Sequence, residues 1–222
     1  MSSAASALPI VVLVSGNGSN LQAIIDAIQG KRLPARICAV FSNRADAYAL
    51  ERARRAGIPV EVVDHRDFAD RRAYDTALMQ RIDDYAPQLI VLAGFMRILT
   101  PEFVRHYEGR MLNIHPSLLP KYRGLDTHRR VLAAGEHEHG ASVHLVTPEL
   151  DSGPVLLQAV VSVRPDDDPK RLAARVQAAE HRIYPEVVGW FARGRARVEG
   201  TQVLLDDQPL CVPLQDRADY DG

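Results

Sequence analysis

The chain has 222 residues, of which 46% are hydrophobic and 25% are charged, enough to bury a sizeable core in one domain or in two fused lobes. The formal net charge is only -1, which excludes a general electrostatic attraction to nucleic acid. Residues 1–7 lack the features of a signal peptide, and the longest apolar runs are too short to cross a bilayer. The two cysteines, Cys38 and Cys211, lack metal-type spacing and indicate a reducing compartment. We therefore expect a cytoplasmic protein.

The first half of the chain alternates between strand and helix patterns. Short apolar runs rich in β-branched residues, typical of buried parallel strands, predict strands at 9–14, 37–41, 60–63 and 88–93. Helical spacing of apolar residues and the positions of Gly and Pro predict helices at 19–29, 46–56 and 68–85. Repeated strand–helix units favour a parallel sheet covered by helices.

The second half continues the alternation with longer elements. Strands are predicted at 111–114, 141–147 and 154–163, helices at 127–134 and 170–193, and a terminal hairpin at 203–205 and 210–212, which places Cys211 in a strand. The predicted fold class is α/β, with a Rossmann-like, mostly parallel sheet and helices on both faces. We expect a disordered lead at 1–8, an N-terminal lobe at 9–108, and a C-terminal lobe at 109–222 that continues the same sheet.

A glycine-rich segment, Ser15-Gly16-Asn17-Gly18-Ser19-Asn20, directly follows the first predicted strand. Glycines let the backbone approach a ligand, and the capping-box spacing of Ser19 and Gln22 predicts that a helix begins at Ser19. A helix N-terminus suits a phosphate, although an ordinary strand-to-helix turn has the same composition. The pattern is neither a dinucleotide fingerprint nor a P-loop, so it indicates a single phosphate group. A side chain at Gly18 is expected to enter the space of that phosphate.

A second motif is the segment Asn113-Ile114-His115-Pro116-Ser117. Residues two apart share a face of a strand, so Asn113 and His115 are expected to point together while Ile114 packs the other way. An amide and an imidazole side by side can stabilise a developing oxyanion. A histidine before proline is more often structural. Ser117 is not favoured as a nucleophile because no strand-to-helix elbow surrounds it.

Asp151 lies in a turn-rich loop, Thr147 to Pro154, between two predicted strands. It either forms the turn or reaches His115 and stabilises the protonated imidazole, and the sequence leaves both possibilities open.

His137 and His139 resemble part of a metal-binding cluster. No third ligand follows at a known spacing, so a solvated loop is favoured. Gln177 and Glu180 lie three residues apart on one face of the last helix and are either solvated or directed at a ligand.

Together these motifs resemble the phosphoribosylglycinamide formyltransferase family, the folate-dependent glycinamide ribonucleotide transformylases of purine synthesis. The similarity extends from about Ile10 to the predicted terminal hairpin. Residues 14–22 are similar to the family's phosphate loop, 113–120 to its catalytic strand and loop, and 151–154 to its aspartate loop. The segments 41–43 and 92–99 match its other landmarks. The resemblance implies the formyltransferase fold, a mononucleotide-binding N-terminal lobe, and a catalytic and folate-binding C-terminal lobe.

The resemblance also implies roles for individual residues. Those that contact the ribonucleotide would be Gly18, Ser19, Asn20, Gln177 and Glu180. Those that shape the folate site would be Arg71, Met96, Arg97, Ile98, Leu99, Asn113, Thr147, Pro148, Glu149, Leu150 and Asp151. The catalytic group would be Asn113, His115 and Asp151, with His144 in support. No role is assigned to Arg123 or Asp126.

The implied reaction is transfer of the formyl group of 10-formyltetrahydrofolate, a co-substrate, to the amine of 5-phosphoribosylglycinamide. The amine attacks directly, Asn113 and His115 stabilise the oxyanion, and Asp151 assists. No metal is needed. The expected partners are small molecules, with no nucleic acid and no membrane, and a homodimer stays open.

Three alternatives have sequence features that discriminate them. A formyltetrahydrofolate hydrolase usually carries an N-terminal regulatory domain, and a methionyl-tRNA formyltransferase adds a basic C-terminal domain. Neither is expected from a chain that opens almost at once on the phosphate-loop strand and closes on a hairpin with acidic residues. A silent phosphosugar-binding module would not need Asn113, His115 and Asp151 together.

Overall fold

A computed structural model describes residues 7–200, 202–218 and 220 of the chain. The elements of the first half are β1 (Leu8–Val14), α1 (Ser19–Gln29), β2 (Ala35–Ser42), α2 (Tyr48–Arg55), β3 (Val60–Val62), a short 3-10 helix (His65–Asp67), α3 (Arg71–Asp83), β4 (Leu89–Leu92) and α4 (Pro101–His106). Those of the second half are β5 (Met111–His115), α5 (Thr127–Ala133), β6 (Glu138–Leu145), β7 (Val155–Ser162), α6 (Pro169–Ala192), β8 (Ala196–Glu199), β9 (Gln202–Leu205), β10 (Gln208–Pro209) and β11 (Leu214–Asp216).

The main sheet has eight strands in the order β11-β7-β6-β5-β4-β1-β2-β3. Strand β6 runs antiparallel to both of its neighbours, and the other neighbouring pairs are parallel. A small second sheet joins β8, β9 and β10. The predicted mostly parallel sheet is therefore confirmed.

Helices cover both faces of the main sheet. The side chains of β1, which point alternately to the two faces, contact helices on each side. Ile10, Val12 and Val14 pack in one hydrophobic cluster with residues of α1, α2 and α6. Val11 and Leu13 pack in a second cluster with residues of α3 and α4. A strand buried on both faces reads as a continuous apolar run, as this one does. None of the helices in the described ranges combines the length and the apolar character needed to cross a bilayer.

One boundary and one helix in the first half differ from the predictions, and local capping marks both. The helix predicted from residue 68 begins only at α3, where the Asp70 carboxylate accepts a hydrogen bond from the Ala73 N–H at 2.8 Å. Helix α4 is not among the predicted elements. It has a clear start signal, since the Thr100 hydroxyl accepts from the Phe103 N–H at 3.3 Å and Pro101 occupies the first turn.

The C-terminal segment differs more. The predicted hairpin is present, but its second arm is β10, so residues 210–212 are not in a strand and Cys211 lies exposed outside one. Strand β11 is also absent from the predicted elements, and it pairs in parallel with β7 at the edge of the main sheet. Of the predicted disordered lead, residues 1–6 lie outside the described residues, whereas Leu8 belongs to β1.

Candidate active site

The glycine-rich segment connects β1 to α1 at the carboxyl end of the sheet. Helix α1 begins at Ser19 as predicted, but its N-cap is Gly18, in the left-handed region with φ 75°, and no side chain caps it. The capping box predicted from Ser19 and Gln22 is therefore wrong. The Gln22 amide instead donates to Asp26, one turn further along, at 2.9 Å.

Residue 18 must be glycine for a steric reason as well as for its positive φ. A Cβ at this position would lie 2.5 Å from the Cβ of Ala49 and 2.8 Å from its Cα, both in α2. A side chain would collide with α2 first, so the expectation that it would enter the phosphate space is wrong. A Cβ at Gly16, by contrast, would meet nothing within 4 Å beyond its chain neighbours.

Asn20 of α1 and Glu180 of α6 are brought together in the core of this region. The Asn20 amide donates to a carboxylate oxygen of Glu180 at 2.8 Å, and both residues are buried. Burial raises the pKa of Glu180, and the hydrogen bond from Asn20 opposes that shift. Gln177, one turn earlier in α6, is exposed. The predicted ribonucleotide residues thus lie at one end of α1 and along one face of α6.

The second motif lies at the end of β5, where the antiparallel register with β6 places Asn113 opposite His144. The His144 Nδ1 donates to the Leu145 carbonyl at 2.8 Å, and burial lowers the pKa of His144. A neutral ring with hydrogen on Nδ1 leaves Nε2 as an acceptor, and the Asn113 Nδ2 lies 3.1 Å from it. This contact orients the Asn113 amide, and its second N–H has no acceptor among the residues that the structure describes.

His115 and Asp151 meet in a buried contact beside this pair. The His115 Nδ1 lies 3.5 Å from Asp151 Oδ2, and the His115 Nε2 donates to the Tyr122 carbonyl at 3.0 Å. The Gly124 N–H donates to the same Asp151 oxygen at 2.9 Å. Asp151 also has φ 49°, so it is both a turn residue and a neighbour of His115. Its role in catalysis stays a prediction.

The loop after β6 reaches this position because Gly153 packs tightly. A Cβ at Gly153 would lie 1.9 Å from the Leu145 carbonyl oxygen, so only glycine lets the loop fold back against the end of β6. The backbone partners Tyr122 and Gly124 are not predicted from the sequence. No signal exists for them, since main-chain groups are common to every residue type.

The predicted folate residues include three exposed apolar side chains, which lie in the loops after β4 and β6. Met96, Ile98 and Leu150 are 66%, 60% and 55% exposed. The others range from buried to exposed: Leu99 and Asp151 are buried, Arg97, Asn113 and Thr147 are half-buried, and Arg71, Pro148 and Glu149 are exposed. Exposed apolar groups beside a few fixed polar ones are typical of a site for an aromatic ligand.

The loop after β4 is also tied to the glycine-rich segment after β1. The Ser15 N–H donates to the Gly94 carbonyl at 3.1 Å, and the Ser15 hydroxyl accepts from the Met96 N–H at 2.8 Å. That hydroxyl donates in turn to the Asn43 side chain at 2.6 Å. Ser15 therefore couples the positions of the two loops.

The expected solvated histidine pair is only half correct. His137 is exposed, whereas His139 is buried and its Nε2 lies 3.0 Å from the Nδ1 of His128 in α5. Burial lowers the pKa of His139 to about 3. Across residues 7–200, 202–218 and 220, no three His, Cys, Asp or Glu side chains are grouped so that they could hold a metal ion.

Similarity to known proteins defines the class to which this fold and site belong. The formyl transferase family model matches residues 8–188, and the chain belongs to this family. Phosphoribosylglycinamide formyltransferase from Escherichia coli K12 is 58% identical over 201 residues, covering 90% of this chain and 95% of the relative. The solved phosphoribosylglycinamide formyltransferase from Coxiella burnetii has a TM-score of 0.89 and 58% identity, covering 93% of this chain and 99% of that chain.

A more distant relative is a segment of a larger protein. The human trifunctional purine biosynthetic protein adenosine-3 is 40% identical over 189 residues, covering 85% of this chain and 19% of the relative. The resemblance found in the sequence, the enzyme class and the formyltransferase fold are confirmed.

Proposed function

We propose that the chain transfers the formyl group of 10-formyltetrahydrofolate to the amine of 5-phosphoribosylglycinamide, giving the formylglycinamide ribonucleotide and tetrahydrofolate in de novo purine biosynthesis. The observation that carries the proposal is the order β5-β4-β1 in the sheet. It separates the phosphate loop after β1 from the Asn113 and His115 pair at the end of β5 by two strand spacings, roughly 10 Å. A phosphoribosyl amine has about this reach between its phosphate and its nucleophile.

The ribonucleotide is assigned to the edge formed by α1 and α6. Gly18, Ser19 and Asn20 supply the N–H groups and polar side chains of a helix N-terminus, which attract a phosphate. Glu180 is fixed by its hydrogen bond from Asn20, and its carboxylate and the exposed Gln177 amide would bind the ribose and glycinamide. The N-terminal lobe 9–108 therefore binds the phosphate, while 109–222 adds α6 and the reacting groups.

The chemical step is assigned to the groups around the end of β5. The amine attacks the formyl carbon, and negative charge develops on the formyl oxygen. The unused N–H of Asn113 would donate to that oxygen, since the contact with His144 already orients the amide. Each preorganised donor of this kind lowers the barrier by about 3 kcal/mol.

His115 would act as the second donor. Its Nε2 must carry hydrogen because the Tyr122 carbonyl only accepts, and the Asp151 carboxylate near Nδ1 favours hydrogen there too. The imidazolium satisfies both neighbours. Because 3.5 Å is long for a hydrogen bond, the Nδ1–H would remain able to donate to a formyl oxygen that lies in the plane of the ring. Asp151 would then help move a proton from the amine to the departing folate nitrogen.

Folate is assigned to the loops after β4 and β6. The exposed side chains of Met96, Ile98 and Leu150 would cover its aromatic ring. The assignment needs no metal and no covalent intermediate, because an amine is already a nucleophile. The partners are small molecules in the cytoplasm. One chain carries every residue assigned, so the assignment holds for a monomer and for a homodimer.

The test is turnover of 10-formyltetrahydrofolate with and without 5-phosphoribosylglycinamide, followed by the absorbance of the deformylated folate. Turnover that depends on the amine is expected. Turnover that proceeds equally without it would identify a hydrolase and overturn the proposal.

Two histidine variants sharpen this test. His115→Ala should lose turnover, whereas His137→Ala should keep it, because His137 is exposed and lies roughly 17 Å along β6 from Ser142, the register partner of His115.

A further inference from the structure

Helix α2 lies against the phosphate loop and holds its carbonyl groups. The Ala49 N–H donates to the Gly16 carbonyl at 3.0 Å, and Gly18 packs closely on the Cβ of Ala49. One turn later in α2, the Arg52 Nε donates to the Asn17 carbonyl at 2.9 Å. Two consecutive carbonyls of the loop are therefore held by the same helix.

Arg52 is itself held by three further contacts. Its Nη2 donates to the Asn17 side-chain oxygen at 3.0 Å, and its Nη1 donates to the Gln22 side-chain oxygen at 3.3 Å. Its guanidinium carbon lies 4.9 Å from the centre of the Tyr48 ring, a cation–π contact. A half-buried arginine with these partners has one preferred position and is not a freely moving surface charge.

The geometry of the peptide bond turns this support into a binding feature. In a planar trans peptide the C=O and the following N–H point in opposite directions. Holding the Gly16 and Asn17 carbonyls toward α2 therefore directs the N–H groups of Asn17 and Gly18 away from it. Neither N–H has an acceptor within the described ranges, and they adjoin the free N–H groups at the start of α1.

We propose that Arg52 is a positioning residue for phosphate-monoester recognition at this loop. It aligns the Asn17 and Gly18 N–H groups toward the ligand and places a permanent positive charge behind them. The identity of the ligand as a ribonucleotide rests on the proposed function. The alignment itself rests on the hydrogen bonds of Arg52 with Asn17 and Gln22.

The first experiment separates the two substrates kinetically. Arg52→Gln should raise the KM for the ribonucleotide by about ten-fold or more, with the KM for folate and the kcat nearly unchanged. Arg54→Gln is the matched control, because Arg54 lies on the same helix and its side chain is exposed. Equal losses for both substrates, or equal effects of the two variants, would overturn the proposal.

A conservative variant distinguishes alignment from charge. Arg52→Lys keeps the positive charge but loses the planar fork that holds Asn17 and Gln22 at once. Most of the loss in ribonucleotide KM should persist in this variant. Full recovery with lysine would show that charge alone matters, and the alignment would then be wrong.

A direct measurement uses inorganic phosphate and amide NMR of the folded full chain. Phosphate should shift the Asn17 and Gly18 amide signals of the wild type, and Arg52→Gln should bind it about ten-fold more weakly at an unchanged unfolding midpoint. If the wild type responds and Arg52→Gln binds equally well, only the inference about Arg52 fails. If the wild-type amides do not respond to phosphate or to the ribonucleotide, the proposed phosphate site fails with it.

Discussion

Burial and hydrogen bonding decide the form of each polar side chain in the candidate site. His144 is held neutral by burial, and its Nδ1–H is used by the Leu145 carbonyl, so its free nitrogen can only accept. That acceptor sets which end of the Asn113 amide faces it. Asp151 lies 3.5 Å from His115 and 3.8 Å from His144, so one carboxylate touches both imidazoles. The four polar side chains therefore form one connected unit.

The unit predicts the effect of Asp151→Asn. Asparagine keeps an oxygen for the Gly124 N–H but loses the charge beside His115. The kcat should fall by about 100-fold to 1,000-fold, with the ribonucleotide KM nearly unchanged, as when other preorganised groups are removed. His115→Ala should lose a comparable amount, and the double variant little more, because residues that act as a unit are not additive.

Asp126→Asn is the matched control for this prediction. Asp126 also has a positive φ, 56°, in a neighbouring loop, but its side chain is exposed and makes no cap hydrogen bond. Its substitution should leave kcat unchanged. Near-normal turnover of Asp151→Asn would reduce that residue to a turn former.

At the level of elements, α1 and α6 are joined through Asn20 and Glu180, and this predicts a pH dependence. Burial raises the pKa of Glu180, so protonation on acidification begins at a higher pH than for an exposed glutamate. As pH falls through that pKa, the ribonucleotide KM should rise. Glu180→Gln should have a high KM with no such acid limb, while the exposed Glu186→Gln should behave as the wild type.

The raised pKa of Glu180 also affects the stability of the fold. Acidification should weaken ribonucleotide binding but remove a cost to stability. A carboxyl group with a raised folded-state pKa costs stability where it is ionised, and that cost disappears as pH falls through the folded pKa. Glu180→Gln keeps an oxygen for the Asn20 amide and removes the buried charge. Its unfolding midpoint at neutral pH should therefore exceed that of the wild type. A lower midpoint together with an unchanged acid limb would contradict the assignment.

How far the sequence predicts each element depends on where its stability comes from. Strands β1 and β4 are predicted well because both faces are buried, which leaves an apolar run that has few other interpretations. Strand β11 is not predicted, since its Leu214–Asp216 has little pattern and exists only because β7 offers an edge. Helix α4 differs from β11, because Thr100 and Pro101 are a start signal that the sequence does contain.

The site shows the same division. That Asn113 and His115 share a face follows from strand periodicity. The start of α1 at Ser19 is predicted correctly but from a capping box that does not form, because Gly18 is the N-cap. That His144 lies opposite Asn113 depends on the register between two strands, which neither strand encodes alone. The support from Arg52 depends on the packing of α2 against the loop, so it too is visible only in the fold.

At the scale of the whole molecule, strand β11 forms one edge of the main sheet. Strand β11 covers β7 only at Leu157 to Ala159, and the Arg182 guanidinium lies 2.9 Å from Asp216 in this edge strand. Removing residues 213–222 would expose the edge of an apolar eight-residue strand, a template for pairing with other chains. With each lost backbone hydrogen bond worth about 1 kcal/mol, a loss of about 2 kcal/mol should lower the unfolding midpoint by roughly 4–8 °C.

Sedimentation velocity of the truncated chain should show more self-association than for a control chain that ends after Ala218 and keeps β11. The remaining unassociated protein should still transfer formyl groups, because the groups at the ends of β1 and β5 lie several strands from this edge. An unchanged midpoint and an unchanged association state would mean that β11 contributes nothing to closing the sheet.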